Sequence, residues 1–470
     1  GNTGASRANI FLQPYKKSDG TKSAWAIVGY EESKGVGIPP DHGDEHDCDT
    51  DSEDEHDTKY KPDEGKNVIY HSFDFLNPEL VSGGGILNLP ETDADGNPVY
   101  VVDEFGDLLL DWKGDPQLAY ENARRVRFVS QPKSKAGESG TVLVALYRQG
   151  EEGKGKPADI FMRRAVSKTK GNPYAFGNFE PGAQNVSSVK PTLMWQNPFD
   201  SEKPEKMLRW QSTPANLADS SATNPRLDAK AQRGAINGDD LLIGFAWTPN
   251  WGRSANDKYD FYVRRSFNGG KDWTTDPKGS DIEHNVVFRV PVEDYETQTI
   301  TWDEEVVTTT YGPGALEPPR NVSNLRNNRV SVLEPRLVKT PGTIKNPDGS
   351  STGYPEDIWD SSVYQLAFGL EFNQNQLPDD VEYPKMPLDI YYSRTLDKGQ
   401  RYESVVVTPQ GGSGKSEEGW NPLAKDKPQQ GAAQLRQTPD GSRLYGIWLE
   451  ESEQGSDIMF RRVDYRGASE

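Results

Sequence analysis

The residues best suited to chemistry crowd into one stretch near the N-terminus. Between positions 44 and 57 the chain carries six aspartates and three glutamates. So many like charges hold a loop open unless cations bridge them. Asp44, Asp47, Asp49 and Asp51 offer hard carboxylate oxygens, the donors calcium prefers, and the last three fall on alternate positions, as at the opening of a calcium loop. The sharp-turn glycine and closing bidentate glutamate of an EF-hand do not follow, so the pattern points to an ion class and not to a geometry. His42, His46 and His56, three of the chain's five histidines, stand in the same stretch with Cys48 and would suit copper or zinc instead. The bland alternative is a solvated acidic insertion that holds no ion.

A second set of polar residues is scattered along the chain. Glu121 and Arg124, Lys230 and Arg233, Glu334 and Arg336, and Gln434 and Arg436 precede apolar runs of strand character. If the strands that carry them line a common axis, Glu121, Arg124, Arg233, Glu334, Arg336 and Arg436 ring its mouth and can hold an anion or a carboxylate. The competing reading is a network of ion pairs between packed sheets. Phosphate-loop, paired CxxC, HExxH and nucleophile-elbow motifs are missing, which sets aside phosphoryl, hydride and zinc-protease chemistry. Asn185-Val186-Ser187 and Asn321-Val322-Ser323 match the N-glycosylation triplet, a pattern that chance also produces at this length.

The elements that must position these residues are short strands. Glycine (45) and proline (34) are abundant among 470 residues, which argues against long helices, and 11 Trp, 20 Tyr and 16 Phe suit strands whose rings pack between sheets. A recurring pair of strands runs through the chain. Its first member is an apolar run, seen at 24–32, 141–147, 241–247, 364–370 and 444–450. Its second is a short strand, with Asp at its start and Arg near its end in most copies, seen at 67–72, 159–164, 260–265, 389–394 and 457–462. Five copies of a unit that cannot bury both its faces alone must stack, and stacking around an axis gives an all-β fold, a single β-propeller over 1–470 with long loop insertions. The acidic segment 35–64 is then an insertion within the first blade. Strand-like pieces at 192–195 and 207–210, and within 286–310, leave room for an atypical blade. The count expected is six, with five to seven open, and Asn9–Leu12 is expected to close the ring by joining the last blade.

The net charge of −20 opposes binding to nucleic acid and to anionic membranes. No apolar run approaches the roughly 20 residues that span a bilayer. Cys48 is alone, so no disulfide forms within the chain, and the start at Gly1-Asn2-Thr3 is what a removed signal peptide would leave.

Two of the second strands run on into a turn, Ser266 to Trp273 and Thr395 to Tyr402. These resemble the Asp-box of sialidase-like propellers. The Asn or Asp accepts backbone N–H groups, Gly supplies a left-handed position, and the aromatic plugs the core, so the box builds a hairpin and speaks to fold more than to function. A sialidase-like glycoside hydrolase also needs three arginines on a carboxylate, a Tyr–Glu pair and an acid. Arg124, Arg336 and Arg436 are the arginines that would have to converge, and the R-I-P signature common in sialidases is missing.

The chain also resembles the choice-of-anchor O proteins of bacterial surfaces. The segments that carry the resemblance are Ser23 to Gly37, Gly65 to Phe73, Pro116 to Arg125, Ala246 to Trp251, Arg264 to Trp273, Gln434 to Arg443 and Ser456 to Arg462. The resemblance implies export and surface display, with no catalytic residues to carry over. The C-terminus departs from it, because no sorting motif or hydrophobic tail follows Arg466. The function expected is a noncatalytic extracellular propeller that binds a surface glycan or protein partner, or builds a self-assembly or hetero-complex, with calcium bracing its acidic loop. The alternatives are the hydrolase at the axial mouth and a surface metal-binding protein that uses the histidines.

Overall fold

A computed structural model describes residues 5–17, 19–34, 60–61, 65–93, 95–103, 105–111, 113–130, 140–150, 157–167, 179–188, 190–194, 199, 208–211, 228–248, 259–323, 330–339, 364–372, 389–395, 397–400, 402, 421–424, 430–437, 443–452 and 454–464. They are all-β, and apart from the short parallel pair Tyr60–Lys61 with Tyr100–Val101 the sheets are antiparallel with their strands in chain order. The first sheet comprises Ala5–Lys16, Lys22–Ser33, Lys66–Asp74 and Val81–Ile86. The second comprises Asn122–Ser130, Thr141–Gly150, Ala158–Ser167 and Gln184–Asn185. Asp228–Asn237, Asp240–Thr248, Asp260–Ser266 and Arg320–Asn321 make the third. Val330–Lys339, Tyr364–Phe372, Ile390–Thr395 and Asn421–Ala424 make the fourth. Gln430–Gln437, Arg443–Ser452 and Gly455–Asp464 complete the fifth.

The recurring strand pairs are the second and third strands of each sheet. In the second and third sheets the second strand is buried at every position, because both faces are covered. Alternation then divides one strand between two cores. Leu143, Ala145 and Tyr147 face Ile27, Val68 and Tyr70 of the first sheet. Val142, Val144 and Leu146 face Ile243, Phe245 and Trp247 of the third. The third sheet's opposite face, with Leu242, Ala246 and Phe261, meets Tyr364, Leu366 and Phe368 of the fourth, whose Ala367 and Ile390 meet Leu435, Leu444 and Trp448 of the fifth. Each sheet thus packs on the next, and each fully buried aromatic contributes about 1.5–3 kcal/mol. Glycines inside the second strands permit the approach. A Cβ on Gly29 would stand 2.7 Å from the Phe128 ring of the second sheet, and one on Gly446 2.8 Å from Leu423 of the fourth.

Three features differ from the sequence-based expectation. Ala5–Lys16 does not join the last sheet; it pairs with Lys22–Ser33 as the first strand of the first sheet, because the hairpin at Lys17–Thr21 is the shorter closure. From the strand-like pieces at 192–195 and 207–210, the described residues Lys190–Met194 and Leu208–Gln211 pair antiparallel as a two-stranded sheet, and 286–310 lies in one long hairpin, Ile282–Asp294 with Thr299–Tyr311. Among the described residues neither is a four-stranded sheet. The segment 87–121 is a small unit of its own around Val99, Val101 and Ala119. It is built from three turns in which Asp93, Asp103 and Asp111 each accept N–H groups two and four residues on. Gly96, Gly106 and Gly114 hold the left-handed positions, with φ of 82, 86 and 87°. Among the described residues no helix is long and apolar enough to cross a membrane.

Candidate functional site: an arginine cluster on the first strands

Each sheet's first strand carries a register shift at the same place. The shifts fall between Ser6 and Asn9, Arg124 and Arg127, Lys230 and Arg233, Leu333 and Arg336, and Gly431 and Gln434. In four of them a non-glycine residue takes left-handed φ: Arg7 at 53°, Arg125 at 60°, Ala231 at 58° and Glu334 at 48°. Each such residue costs on the order of 1 kcal/mol, so a repeat in four sheets means that the surroundings over-determine it. Those surroundings are hydrogen bonds from sheet to sheet. Arg125 N–H donates to Glu31 Oε1 at 2.7 Å, Gln232 Nε2 donates to the Arg125 carbonyl at 2.5 Å, and Arg336 Nε donates to the Ala433 carbonyl at 2.8 Å.

A bulge re-aims the side chains that follow it. Two residues past the left-handed position stand Asn9, Arg127, Arg233 and Arg336, and the fifth strand has Gln434 at the matching place. The three arginines share one electrostatic environment. Burial pushes the Arg233 guanidinium down to about 9, the charges of Arg127 and Arg336 push the same way, and Glu334 opposes them. Arg127 is lowered by burial, then by Arg336 and Arg125. Arg336 Nη2 meets Glu334 Oε2 at 2.8 Å, whereas Arg233 donates to the Gln232 carbonyl at 2.8 Å. Among the described residues neither Arg127 nor Arg233 forms an ion pair with a carboxylate. The strand ends also define the location. The bulges lie near the start of the first strands, where the second strands finish, and Lys34 N–H bonds the Gly65 carbonyl there, at the neck of the acidic insertion.

Arg233, Glu334 and Arg336, expected at an axial mouth, therefore stand together, joined by Arg127 and Arg125. Arg124 couples to Arg125 of this group and otherwise to Glu31, Arg148 and Arg7. Burial lowers its guanidinium, Glu31 opposes that, and Arg148 and Arg7 add to it. Glu121 accepts from Gln149 Nε2 at 2.9 Å, in the wall between the first and second sheets. Arg436 is exposed and donates to the Leu435 carbonyl at 2.7 Å, and no described interaction joins it to the cluster. The extra residue of the bulge sets Arg127 opposite Leu146, on the face that packs toward the third sheet, where an unbroken strand would turn it away. Aligning Arg124 to Arg127 with Lys230 to Arg233 and Leu333 to Arg336 is the signal that would have found it. Asp44, Asp47, Asp49, Asp51, His42, His46 and His56 lie outside the described residues.

The turn at Ser266 has the local mechanics its sequence suggested. Asn268 Oδ1 accepts from the N–H groups of Lys271 and Asp272 at 3.1 and 2.9 Å, and Trp273 is buried. Arg164 of the second sheet donates to the carbonyls of Asn268 and Gly269, and Arg265 of the third donates to that of Lys398, so these turns latch neighbouring sheets.

No family model matches the chain, and no curated protein matches it. Among solved structures, one of the Trypanosoma rangeli sialidase in complex with sialic acid aligns over 96% of this chain and 58% of that one, at 8% identity and a TM-score of 0.23. The chain thus spans little more than half the length of that sialidase, and a similarity at this score carries no argument about it.

Proposed function

We propose that this chain is a noncatalytic β-propeller of an extracellular surface, of the choice-of-anchor O kind, which binds an anionic partner at its axial mouth. One observation carries this reading: Arg127, Arg233 and Arg336 come together from three successive sheets of a strongly acidic chain, with Glu334 as the carboxylate among them. Desolvated guanidinium groups without a matched carboxylate form strong charge-assisted hydrogen bonds to an incoming oxyanion. The stacked four-stranded sheets support the propeller, and an acidic surface glycan or the acidic patch of a protein suits the mouth. The alternative, a sialidase-like hydrolase, draws on the Ser266 and Thr395 turns and on Arg124, Arg336 and Arg436; the turns speak to fold, and Arg436 donates to the Leu435 carbonyl instead of entering the cluster.

The test is titration of the protein with acidic and neutral oligosaccharides at low ionic strength. An acidic ligand is expected to bind, and the Arg127→Gln and Arg233→Gln variants to lose at least tenfold in affinity with unchanged thermal unfolding. Equal binding by the variants overturns the site, and turnover of the oligosaccharide overturns the noncatalytic assignment. Calcium held by the 35–64 insertion belongs to the same proposal. Adding a chelator is expected to speed proteolysis within that segment, and an unchanged cleavage rate removes calcium from it.

A further inference from the structure

We propose that Glu334 is a built-in competitor at the arginine cluster, a tethered carboxylate that an incoming ligand must displace, and that the mouth therefore selects oxyanions carrying two negative charges. The inference rests on the anion-binding reading above and specifies its ligand. Four observations converge on Glu334. It occupies the left-handed position of its bulge, at φ 48°, where a side chain larger than glycine is held at a cost. Its Oε2 lies 2.8 Å from Arg336 Nη2. Its charge is felt by Arg125 and by Arg233 as well, so one carboxylate serves guanidinium groups from the second, third and fourth sheets. Its side chain is 43% exposed while that of Arg336 is 12% exposed, so the carboxylate sits on the solvent side of the pair and can swing outward without crossing the core.

The charges set the selection. Arg125, Arg127, Arg233 and Arg336 face Glu334, and a second carboxylate, Glu31, acts on Arg125, so four guanidinium groups against two carboxylates leave the cluster cationic. A tethered group competes as though present at about millimolar concentration or above. A free monocarboxylate would replace Glu334 by a group of the same charge and would also lose its translational freedom, so it gains little. An oxyanion with two charges brings more Coulomb energy than the carboxylate it displaces and can bridge two guanidinium groups at once. A phosphate monoester, inorganic phosphate and inorganic sulfate share this chemistry, and a comparison of them with a phosphorylated sugar tells a free ion from a ligand group.

Calorimetric titration of the whole chain with sulfate, phosphate and acetate at low ionic strength tests the idea, using the wild type with Glu334→Gln and Glu334→Gly. Both substitutions remove the charge, and the glycine also relieves the left-handed backbone, so agreement between them assigns the effect to the carboxylate. The wild type is expected to bind sulfate and phosphate at least tenfold tighter than acetate. Both variants are expected to bind all three anions at least fivefold tighter, with acetate gaining most. Unchanged or weaker binding by the variants, while the wild type still binds anions, overturns the competitor role and leaves the anion site standing. Equal affinity for acetate and sulfate in the wild type overturns the selection. Absence of binding in the wild type and in both variants overturns the anion site as well.

Discussion

Ser187 and Ser323 occupy equivalent places in the second and third sheets and do the same work. Each hydroxyl donates at 2.7 Å to an aspartate near the start of the third strand, Asp159 or Asp260, and accepts the N–H of the following residue, Ile160 or Phe261. Asn185 and Asn321 stand 3.2 Å from these hydroxyls, so the two triplets that match a glycosylation pattern are parts of an interior hydrogen-bond network. Asn185 is fully buried. The sequence expressed in a glycosylating host should therefore show no glycan mass at Asn185. Ser187→Ala should cost about 1–3 kcal/mol, measured by urea unfolding, because it leaves a buried carboxylate short of a donor. Asp159 itself is raised to about 7, by burial first, against the hydrogen bonds of Ser187 and Asn185. A carboxyl raised in the folded state favours its protonated form there. Its contribution to stability is thus complete below about pH 4 and is lost as pH climbs toward 7, by up to about 4 kcal/mol. Asp159→Asn should flatten stability across that window while leaving its value near pH 4 little changed.

At the scale of elements, the long hairpin Ile282–Asp294 with Thr299–Tyr311 is anchored at its root and exposed at its tip. His284 Nε2 donates to Glu317 Oε1 at 2.8 Å, and Arg265 grips the same carboxylate through Nε and Nη2 at 2.6 and 3.0 Å. Burial alone would raise Glu317, but the hydrogen bond of His284 and the charge and hydrogen bonds of Arg265 outweigh it and hold the carboxyl at about 2. The sign is opposite to that of Asp159. A depressed carboxyl adds stability at neutral pH that is lost as pH falls from the ordinary range near 4.5 toward 2. Glu317→Gln breaks one side of a buried pair and should cost about 3–5 kcal/mol. Hydrogen exchange should report the loss first at Ile282–Asp294, with the amides of Asp240–Thr248 still protected. Uniform loss of protection across both strands would mean that the hairpin is not a separate unit.

At the scale of the whole molecule, the interior and the two ends of the sheet stack differ sharply. Trp247 is 1% exposed between the second and third sheets, whereas Phe460 on the last strand is 63% exposed and Ile10 on the first is 64%. Trp247→Ala is expected to cost about 3–5 kcal/mol and Phe460→Ala under about 0.5, by thermal and denaturant unfolding. Comparable losses at both positions would show that the last sheet is covered in solution. The charge is distributed just as unevenly, since a chain of net charge −20 gathers Arg125, Arg127, Arg233 and Arg336 at one end of its sheets.

The second and third strands were legible in the amino-acid sequence because burial on both faces demands unbroken apolar residues, and few other elements impose such runs as 141–147 and 241–247. The Ser266 turn was legible for a similar reason, since its hydrogen bonds close within a few residues. The first strands were harder. They are shorter of apolar residues and carry the bulges, and a single inserted residue decides which side chains share a face. Arg124 and Arg127 are indistinguishable by type, and only the register with Thr141–Gly150 places the second of them beside Arg233 and Arg336. The pairing of Ala5–Lys16 turned on the competition between two partner edges, which the short closure at Lys17–Thr21 decides for Lys22–Ser33. The sequence by itself determined that this protein is a series of antiparallel strand pairs joined by charged and glycine-rich connections. Tertiary structure alone decided which arginines meet, because that depends on the alignment of bulges in separate sheets, more than a hundred residues apart along the chain.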